Sequence, residues 1–125
     1  MMLLIVLIIS LISISVSKEI YCCESGHERY LGKYEKGQEV DGVPSYTNGN
    51  EMSFFRNKGF WYLGNLGPWP PETHFRCVDL ENCGFEAEFP NIADNAEWSN
   101  NKKYSGDIST PKFSTTPCSN VAEEL

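Results

Sequence analysis

The sequence predicts an all-β domain: a small antiparallel sheet built from hairpins, as a sandwich or partly open barrel, stabilised by disulfides and preceded by a signal peptide. The segment "FFRNKGFWYLG" (54–64) places a glycine turn signal between two aromatic runs, which is typical of a buried hairpin. All five cysteines lie after residue 17, as expected for a domain crosslinked in an oxidising compartment. Helical periodicity is scarce along the sequence.

The first 17 residues are typical of a signal peptide. The first charged side chain is Lys18, and the stretch 3–16 is apolar except for its serines. Ser15 and Ser17 provide small residues at the −3 and −1 positions of a cleavage site. The apolar stretch is also shorter than the ~20 residues that cross a bilayer. We therefore expect a cleaved signal (1–17) and a single secreted, extracellular domain (18–125), with no membrane span after cleavage.

The charge of the protein disfavours nucleic acid as a partner. Its formal net charge is −7, so it repels phosphate. The basic residues are scattered singly apart from Lys102 and Lys103, and no basic stripe is present to displace counterions from a nucleic acid. We expect no nucleic-acid binding.

Five cysteines allow two disulfides and one leftover thiol, which would be free or would link two molecules in a disulfide-bonded dimer. The residues are Cys22, Cys23, Cys77, Cys83 and Cys118. A bridge between the adjacent Cys22 and Cys23 would strain the peptide. The favoured pattern ties both of them to later cysteines, because long loops remove the most unfolded-state entropy. A local bridge between Cys77 and Cys83 is the alternative.

A zinc site is the other interpretation of these cysteines. His27 lies close to the first pair in sequence, and His74 lies close to Cys77. The sequence lacks the paired ligand spacing of structural zinc sites, and thiolates are oxidised in secreted proteins. We therefore expect no metal and no other cofactor.

Strands and turns are predicted from alternation and turn residues. A first strand is expected over 29–36, with Tyr30 and Tyr34 on one side. Asn48-Gly49 predicts a two-residue type I′ turn that joins strands at 45–47 and 51–55.

A second hairpin turn, of three residues, is expected to end at Gly59 in the left-handed conformation. The following "FWYLG" strand has Phe60 and Tyr62 on one face and Trp61 and Leu63 on the other. Because both faces are apolar, we expect this strand to be covered on each side.

The second half of the sequence is less regular. Residues 64–75 are rich in glycine and proline and predict a surface loop. The alternation of "GFEAEF" (84–89) predicts a half-buried strand with its aromatic residues inward and Glu86 and Glu88 in solvent. After Pro90 we expect short strands or loops, with at most one helical turn in 91–98.

With the strands placed, three motifs follow in order: "YLGKYE", "VDGVPSY" and "MSFFRNKGFWYLGNLG". This order resembles a short, often repeated module of uncharacterised extracellular proteins of animals and some protists, with the pattern Gly-x-Tyr, Asn-Gly-x-Pro-x-Tyr, an aromatic strand and Gly-x-Trp-x-x-Gly. The matching residues are Gly32, Tyr34, Gly42, Pro44, Tyr46, Phe54, Phe55, Gly59, Trp61 and Gly64, and Asp41 replaces the usual asparagine. The resemblance implies a compact β-module and carries no catalytic residues.

The residues that could perform catalysis form no known constellation. His27 and His74 are the only histidines, and neither lies in a nucleophile motif. Glu86 and Glu88 are expected on the solvent face, whereas acid-base catalysis requires one carboxyl in an apolar pocket. We assign no catalytic residue and predict that the protein is not an enzyme; a small secreted hydrolase is the alternative.

Exposed aromatic side chains are the candidate binding residues. Flat rings beside polar groups bind sugars, and aromatic anchors also centre protein interfaces. The candidates are Trp61, Tyr62, Trp69 and Trp98, of which Trp69 lies in the proline-rich loop and Trp61 has the position of a core residue. The predicted function is a non-enzymatic module that recognises an extracellular protein or glycan. A disulfide-rich effector or toxin-like protein is the alternative.

Overall fold

The computed structural model describes residues 19–93 and 96–118. The predicted signal peptide therefore lies outside the described residues. Within the described ranges, the protein forms eight β-strands: β1 (Ile20–Glu24), β2 (Gly32–Val40), β3 (Val43–Thr47), β4 (Ser53–Asn57), β5 (Phe60–Asn65), β6 (Glu72–Cys77), β7 (Trp98–Asn100) and β8 (Lys112–Ser114). The helical elements there are a 3₁₀ turn, Glu28–Tyr30, and two four-residue helices, Leu80–Cys83 and Lys102–Ser105. The prediction of an all-β domain is confirmed.

The strands form one antiparallel sheet in the order β7-β6-β5-β4-β3-β2-β1-β8. The two edges, β7 and β8, are close in sequence, so the sheet must curl to bring them together. Phe54 of the central strand β4 shows this directly, since its ring centroid lies 5.7 Å from Trp98 of β7 and 4.8 Å from Phe113 of β8. The Thr110 hydroxyl also donates to the Trp98 carbonyl at 3.2 Å. The result is a half-barrel in which the Phe54 ring contacts a side chain from each of the two edge strands.

The first predicted strand is shifted in the structure. Strand β1 precedes it, and Arg29 and Tyr30 belong to the 3₁₀ turn, so the strand begins at Gly32. The two tyrosines nevertheless lie close together in the core. Tyr30 and Tyr34 are both buried, and the Tyr34 hydroxyl donates to the Tyr30 carbonyl at 2.7 Å.

The hairpin at Asn48 forms, but its predicted turn type is wrong. Tyr46 pairs with Phe54 and Thr47 with Ser53, so the loop runs from residue 48 to 52. The residue with positive φ in this loop is Glu51 (67°), not Gly49.

The reason for this difference is the buried Asn48 side chain. Its Oδ1 accepts the backbone N–H groups of Asn50 and Met52, each at 2.9 Å. Its Nδ2 donates to the carbonyls of Arg29 and Leu31 at 2.9 and 3.1 Å. The loop therefore wraps around the amide group instead of reversing in two residues.

Two-residue turns with positive φ at both positions, the signature of type I′, occur elsewhere. Asp41 and Gly42 (φ 56° and 81°) join β2 to β3, and Lys58 and Gly59 (52° and 86°) join β4 to β5. The left-handed Gly59 is confirmed, while the predicted three-residue length is wrong by one residue.

The concave face of the sheet holds the hydrophobic core. Its cluster includes nine large side chains: Ile20, Tyr30, Tyr34, Met52, Phe54, Trp61, Leu63, Phe75 and Trp98. Strand β5 follows the predicted alternation, with Trp61 and Leu63 buried inside and Phe60 and Tyr62 half-buried outside.

The predicted strand over 84–89 is wrong. No strand forms there, and Phe85 is 58% exposed. Ala87 and Phe89 pack at the margin of the core, while Glu86 and Glu88 are exposed as expected. Glu86 has a φ of 61°, which is incompatible with the extended backbone of a strand at that residue.

Disulfides join Cys23 to Cys118 and Cys77 to Cys83. The favoured pattern is therefore wrong for Cys22, and the alternative local bridge is present. Alternation along β1 explains this, because Cys22 faces the core and Cys23 faces outward. Burial raises the pKa of the Cys22 thiol to about 11, and the side chain is 1% exposed. A disulfide-linked dimer through this thiol would require the sheet to open.

Candidate functional site

The predicted binding aromatics separate into two groups. Trp61 and Trp98 are 2% and 9% exposed, and their indole N–H groups donate to the carbonyls of Ala87 and Asn91 at 2.8 and 3.1 Å. Both are core residues. Tyr62 is half-buried on the outer face, and Trp69 is 90% exposed.

Trp69 lies in the loop between β5 and β6, which we call the Trp69 loop (residues 66–71). Three of its six residues are prolines, at 68, 70 and 71, and proline fixes φ near −65°. The amide of Gly67 donates to the Asn65 side chain at 2.8 Å. The loop thus presents a flat ring on a backbone with few alternative conformations.

A β-bulge lies where this loop enters β6. Leu63 pairs with Phe75 and Gly64 with Thr73, so His74 is the extra residue on β6. The two backbones approach closely here, since a Cβ on Gly64 would overlap the carbonyl oxygen of Glu72. The bulge places the His74 side chain between Tyr30 and Glu72.

His74 and these two neighbours are linked in a series of hydrogen bonds. Its Nδ1 lies 2.7 Å from the Tyr30 hydroxyl, and its Nε2 lies 3.2 Å from the Glu72 carboxylate. Because a carboxylate only accepts, Nε2 carries the proton and Nδ1 accepts from the tyrosine. Burial lowers the pKa of His74, and the Glu72 carboxylate opposes this shift. Tyr104 stacks on the imidazole at 5.4 Å.

This hydrogen-bonded series resembles an acid-base relay, but its catalytic atoms lie inside the protein. Tyr30 and His74 are each 1% exposed, while the Glu72 side chain is 33% exposed. A substrate would reach the carboxylate and not the imidazole. The arrangement fixes the base of the Trp69 loop.

The histidines do not form the metal site considered from the sequence. The Nδ1 atom of the exposed His27 accepts from the Arg29 amide at 3.1 Å, and Cys77 is in a disulfide. In residues 19–93 and 96–118, no group of three metal-ligating side chains comes together.

A second aromatic surface lies on the outer face of the sheet. We call it the Phe85 surface; it consists of Phe60, Tyr62, Arg76 and Phe85. The Arg76 guanidinium lies 4.6 Å from the Phe60 ring centroid and 5.9 Å from that of Tyr62. The ring centroids of Phe85 and Phe60 are 5.3 Å apart.

Of the Phe85 surface, the sequence patterns identify Tyr62 as a binding candidate and place Phe60 on the same strand face, and they miss Arg76 and Phe85. The alternation of 84–89 predicts that Phe85 faces inward, which is wrong. The signal that could have placed Arg76 is the pairing of β5 with β6, in which Tyr62 faces Arg76.

An open groove of about 450 Å³ lies beside the Cys23–Cys118 disulfide. Its lining includes Leu31, Thr110 and the ion pair of Glu24 with Lys112, whose charged atoms are 3.7 Å apart. Both charged side chains are more than two-thirds exposed, and the Thr110 hydroxyl is already bonded to the Trp98 carbonyl.

The described ranges contain no helix with the length and apolar composition that crossing a bilayer requires. Comparisons of the sequence with protein-family models, with curated proteins and with solved structures find no match, so the resemblance to the repeated extracellular module stays a prediction.

Proposed function

We propose that this protein is a secreted, non-enzymatic binding module that recognises an extracellular ligand, a glycan or a protein, through Trp69. The observation that carries the proposal is the presentation of this indole: it is 90% exposed on a loop in which half of the residues are prolines. A rigid aromatic side chain loses little conformational entropy on binding, so more of its contact energy contributes to affinity.

A glycan is the first candidate ligand. The C–H face of a sugar ring packs on a flat aromatic face, which carries partial negative charge. Polar side chains that can bind hydroxyl groups flank the loop, with Asn65 at its start and the partly exposed Glu72 at its end.

Secretion is supported by the two disulfides. Such bridges form in oxidising compartments and are rare in the cytosol. The apolar segment 3–16 followed by small residues supplies the export signal that this location requires.

The non-enzymatic part of the proposal is supported by the burial of Tyr30 and His74, the first two members of the hydrogen-bonded series Tyr30–His74–Glu72. A general base must come within hydrogen-bond distance of the proton that it removes. Here both nitrogens of His74 are already bonded inside the protein.

Glycan and extracellular-protein arrays probed with the purified protein test this function. Trp69→Ala should weaken binding of the ligand found by about 10-fold or more, and Trp69→Phe should retain part of it because a flat ring remains. Because the side chain is exposed, both variants should unfold at the same urea concentration as the parent.

Ligands that bind Trp69→Ala as tightly as the parent would refute the role of Trp69. Cleavage of a bound glycan by the parent, abolished in His74→Gln, would replace the proposal with the hydrolase alternative.

A further inference from the structure

We propose that the Phe85 surface is a docking site for a second extracellular protein, one that presents a carboxylate beside an apolar side chain. The Phe85 surface is distinct from the Trp69 loop and makes a different kind of contact. Three features support this: the rigid backbone that carries Phe85, the position of Arg76 on aromatic rings, and the convex shape of the outer face.

Phe85 is exposed on a backbone that is held at both ends. The preceding Cys83 is tied to Cys77 by a disulfide. After Phe85, the Glu86 amide donates to the Gly59 carbonyl at 2.9 Å. The sequence thus places a large apolar side chain in water on an immobilised segment.

Further hydrogen bonds fix the same segment. Arg56 Nη1 donates to the carbonyls of Glu86 and Ala87 at 2.8 and 3.1 Å, and the Trp61 indole donates to the Ala87 carbonyl. Glu86 is held at a φ of 61°, a conformation that costs free energy in a residue other than glycine. Strain of this kind persists where the surrounding structure enforces it, and it is common at functional sites.

The ring of Phe85 is itself positioned by its contacts. It lies against Gly59, where a Cβ would overlap the ring, and against Phe60. One side of the ring is therefore packed while 58% of the residue stays exposed. Preorganised aromatic side chains of this kind are typical binding hot spots.

Arg76 supplies the charge that selects the partner. Its guanidinium lies on the faces of Phe60 and Tyr62, and no carboxylate of the described residues lies within ion-pair distance of it. A guanidinium that packs over aromatic rings keeps N–H groups that can bind a carboxylate in a bidentate way. The complementary group is therefore an acidic side chain or the carboxylate at the end of a polypeptide.

The shape of this face selects a protein rather than a small ligand. Phe60, Tyr62 and Arg76 lie on the outer, convex side of the curled sheet, whereas small ligands bind in concave sites. A second copy of this protein is disfavoured, because two-fold contact through this surface would place arginine near arginine, and each copy carries a formal charge of −7.

The two surfaces lie at opposite ends of strand β5. Phe60 begins the strand, and the Trp69 loop follows Asn65 at its end. At about 3.3 Å per residue, the two surfaces are roughly 17 Å apart along the strand. A protein partner on the Phe85 surface would therefore leave Trp69 accessible.

Panning the purified protein against a phage-displayed library of random peptides tests the proposal. Enriched peptides should carry Asp or Glu next to Phe, Leu or Trp. Phe85→Ser and Arg76→Glu should each weaken their binding by about 30-fold. Changing the peptide's acidic residue to Lys should restore binding to Arg76→Glu.

The matched control is Trp69→Ala, which removes the other exposed aromatic and should leave peptide affinity unchanged. Phe85→Ser should unfold at the same urea concentration as the parent, because the side chain is mostly in solvent. Arg76→Lys, which keeps the charge and loses the planar fork, should bind with intermediate affinity.

Three results would overturn the proposal. The first is that no enriched peptide depends on both Phe85 and Arg76. The second is a dimer, seen by sedimentation without peptide, that Phe85→Ser abolishes; this would make a second copy the occupant. The third is a glycan whose binding requires Phe85 and not Trp69.

Discussion

His74 joins three parts of the molecule through its imidazole and its own backbone. The imidazole accepts from Tyr30 of the 3₁₀ turn, donates to Glu72 of its own strand and stacks on Tyr104 of the second short helix. Its carbonyl accepts the Asn101 amide at 2.8 Å. The positive charge of Arg29 also favours the neutral ring. Burial and Arg29 therefore favour a neutral imidazole in the folded state.

We predict that the free energy of unfolding falls when the pH is lowered from about 7 to about 5. The ordinary pKa of histidine is 6.5, and burial lowers that of His74 in the folded state. As the pH falls below 6.5, His74 therefore becomes protonated in the unfolded state while it stays neutral in the folded state, and the free energy of unfolding decreases. The decrease ends once the pH has fallen below the folded-state pKa of His74. Urea unfolding at several pH values measures this loss.

His74→Gln is the control for this pH dependence, because glutamine can accept from Tyr30 and donate to Glu72 without titrating. The decrease between pH 7 and pH 5 should be absent in this variant. The lowered pKa values of Glu19 and Asp41 give a separate loss at lower pH, below their ordinary values of 4.5 and 3.8. If the free energy of unfolding of the parent protein stayed constant between pH 7 and pH 5, the destabilising effect of protonating His74 would be contradicted.

Among the strands and their connections, the bulge in β6 depends on one glycine. Gly64→Ala should lower the free energy of unfolding by about 1 to 3 kcal/mol, because the new methyl group would overlap the Glu72 backbone, which cannot move without breaking the ladder. Gly49→Ala is the matched control. No atom lies within 4 Å of a Cβ there, so the change should stay within about 0.5 kcal/mol.

Urea titration of the two glycine variants measures both values. If Gly64→Ala and Gly49→Ala lowered the free energy of unfolding by the same amount, the dependence of the β6 bulge on Gly64 would be contradicted. A large loss at Gly49 would instead indicate the type I′ turn that the Asn-Gly dipeptide predicts.

The β4–β5 hairpin was predictable because local residues decide it. Gly59 takes the left-handed conformation that the turn requires, and the alternation of β5 follows from Trp61 and Leu63 packing on one side. The Asn48 loop was not predictable at this level, since its turn type depends on carbonyls of Arg29 and Leu31 that approach only in the folded state. Local signals fail where distant groups provide the hydrogen bonds.

In the 84–89 segment too, hydrogen bonds from distant residues override the local sequence pattern. Its alternation matches a strand, but Arg56 and the Trp61 indole bind the carbonyls that a ladder would need. Arg56 also binds the Asp41 carboxylate at 2.9 Å, so it connects the β2–β3 turn to this segment. The exposed position of Phe85, and with it the proposed second binding surface, follows from those long-range contacts.

The fold as a whole is fastened by one long-range crosslink. We predict that Cys23→Ser with Cys118→Ser lowers the free energy of unfolding by about 4 to 5 kcal/mol in the loop-entropy estimate, because the bridge joins residues 95 positions apart. Urea unfolding of the double variant measures the loss.

Cys77→Ala with Cys83→Ala is the comparison, since that bridge closes a separation of 6 residues and its entropic contribution is about 2 kcal/mol. Both of these cysteines are buried, so part of the measured loss will be packing. A double variant at 23 and 118 as stable as the parent would show that the sheet alone holds its first and last strands together.

The curled sheet has a further consequence for how molecules behave at high concentration. Among the described residues, the edges of the sheet are β7 and β8, each three residues long, and β8 begins with the exposed Lys112. A long, flat edge offers a template on which neighbouring molecules add strand by strand into fibrils, whereas short edges bearing lysine resist such growth. The aromatic-rich strands that are most prone to amyloid are β4 and β5, and both lie in the middle of the sheet, where their backbones already have partners on each side.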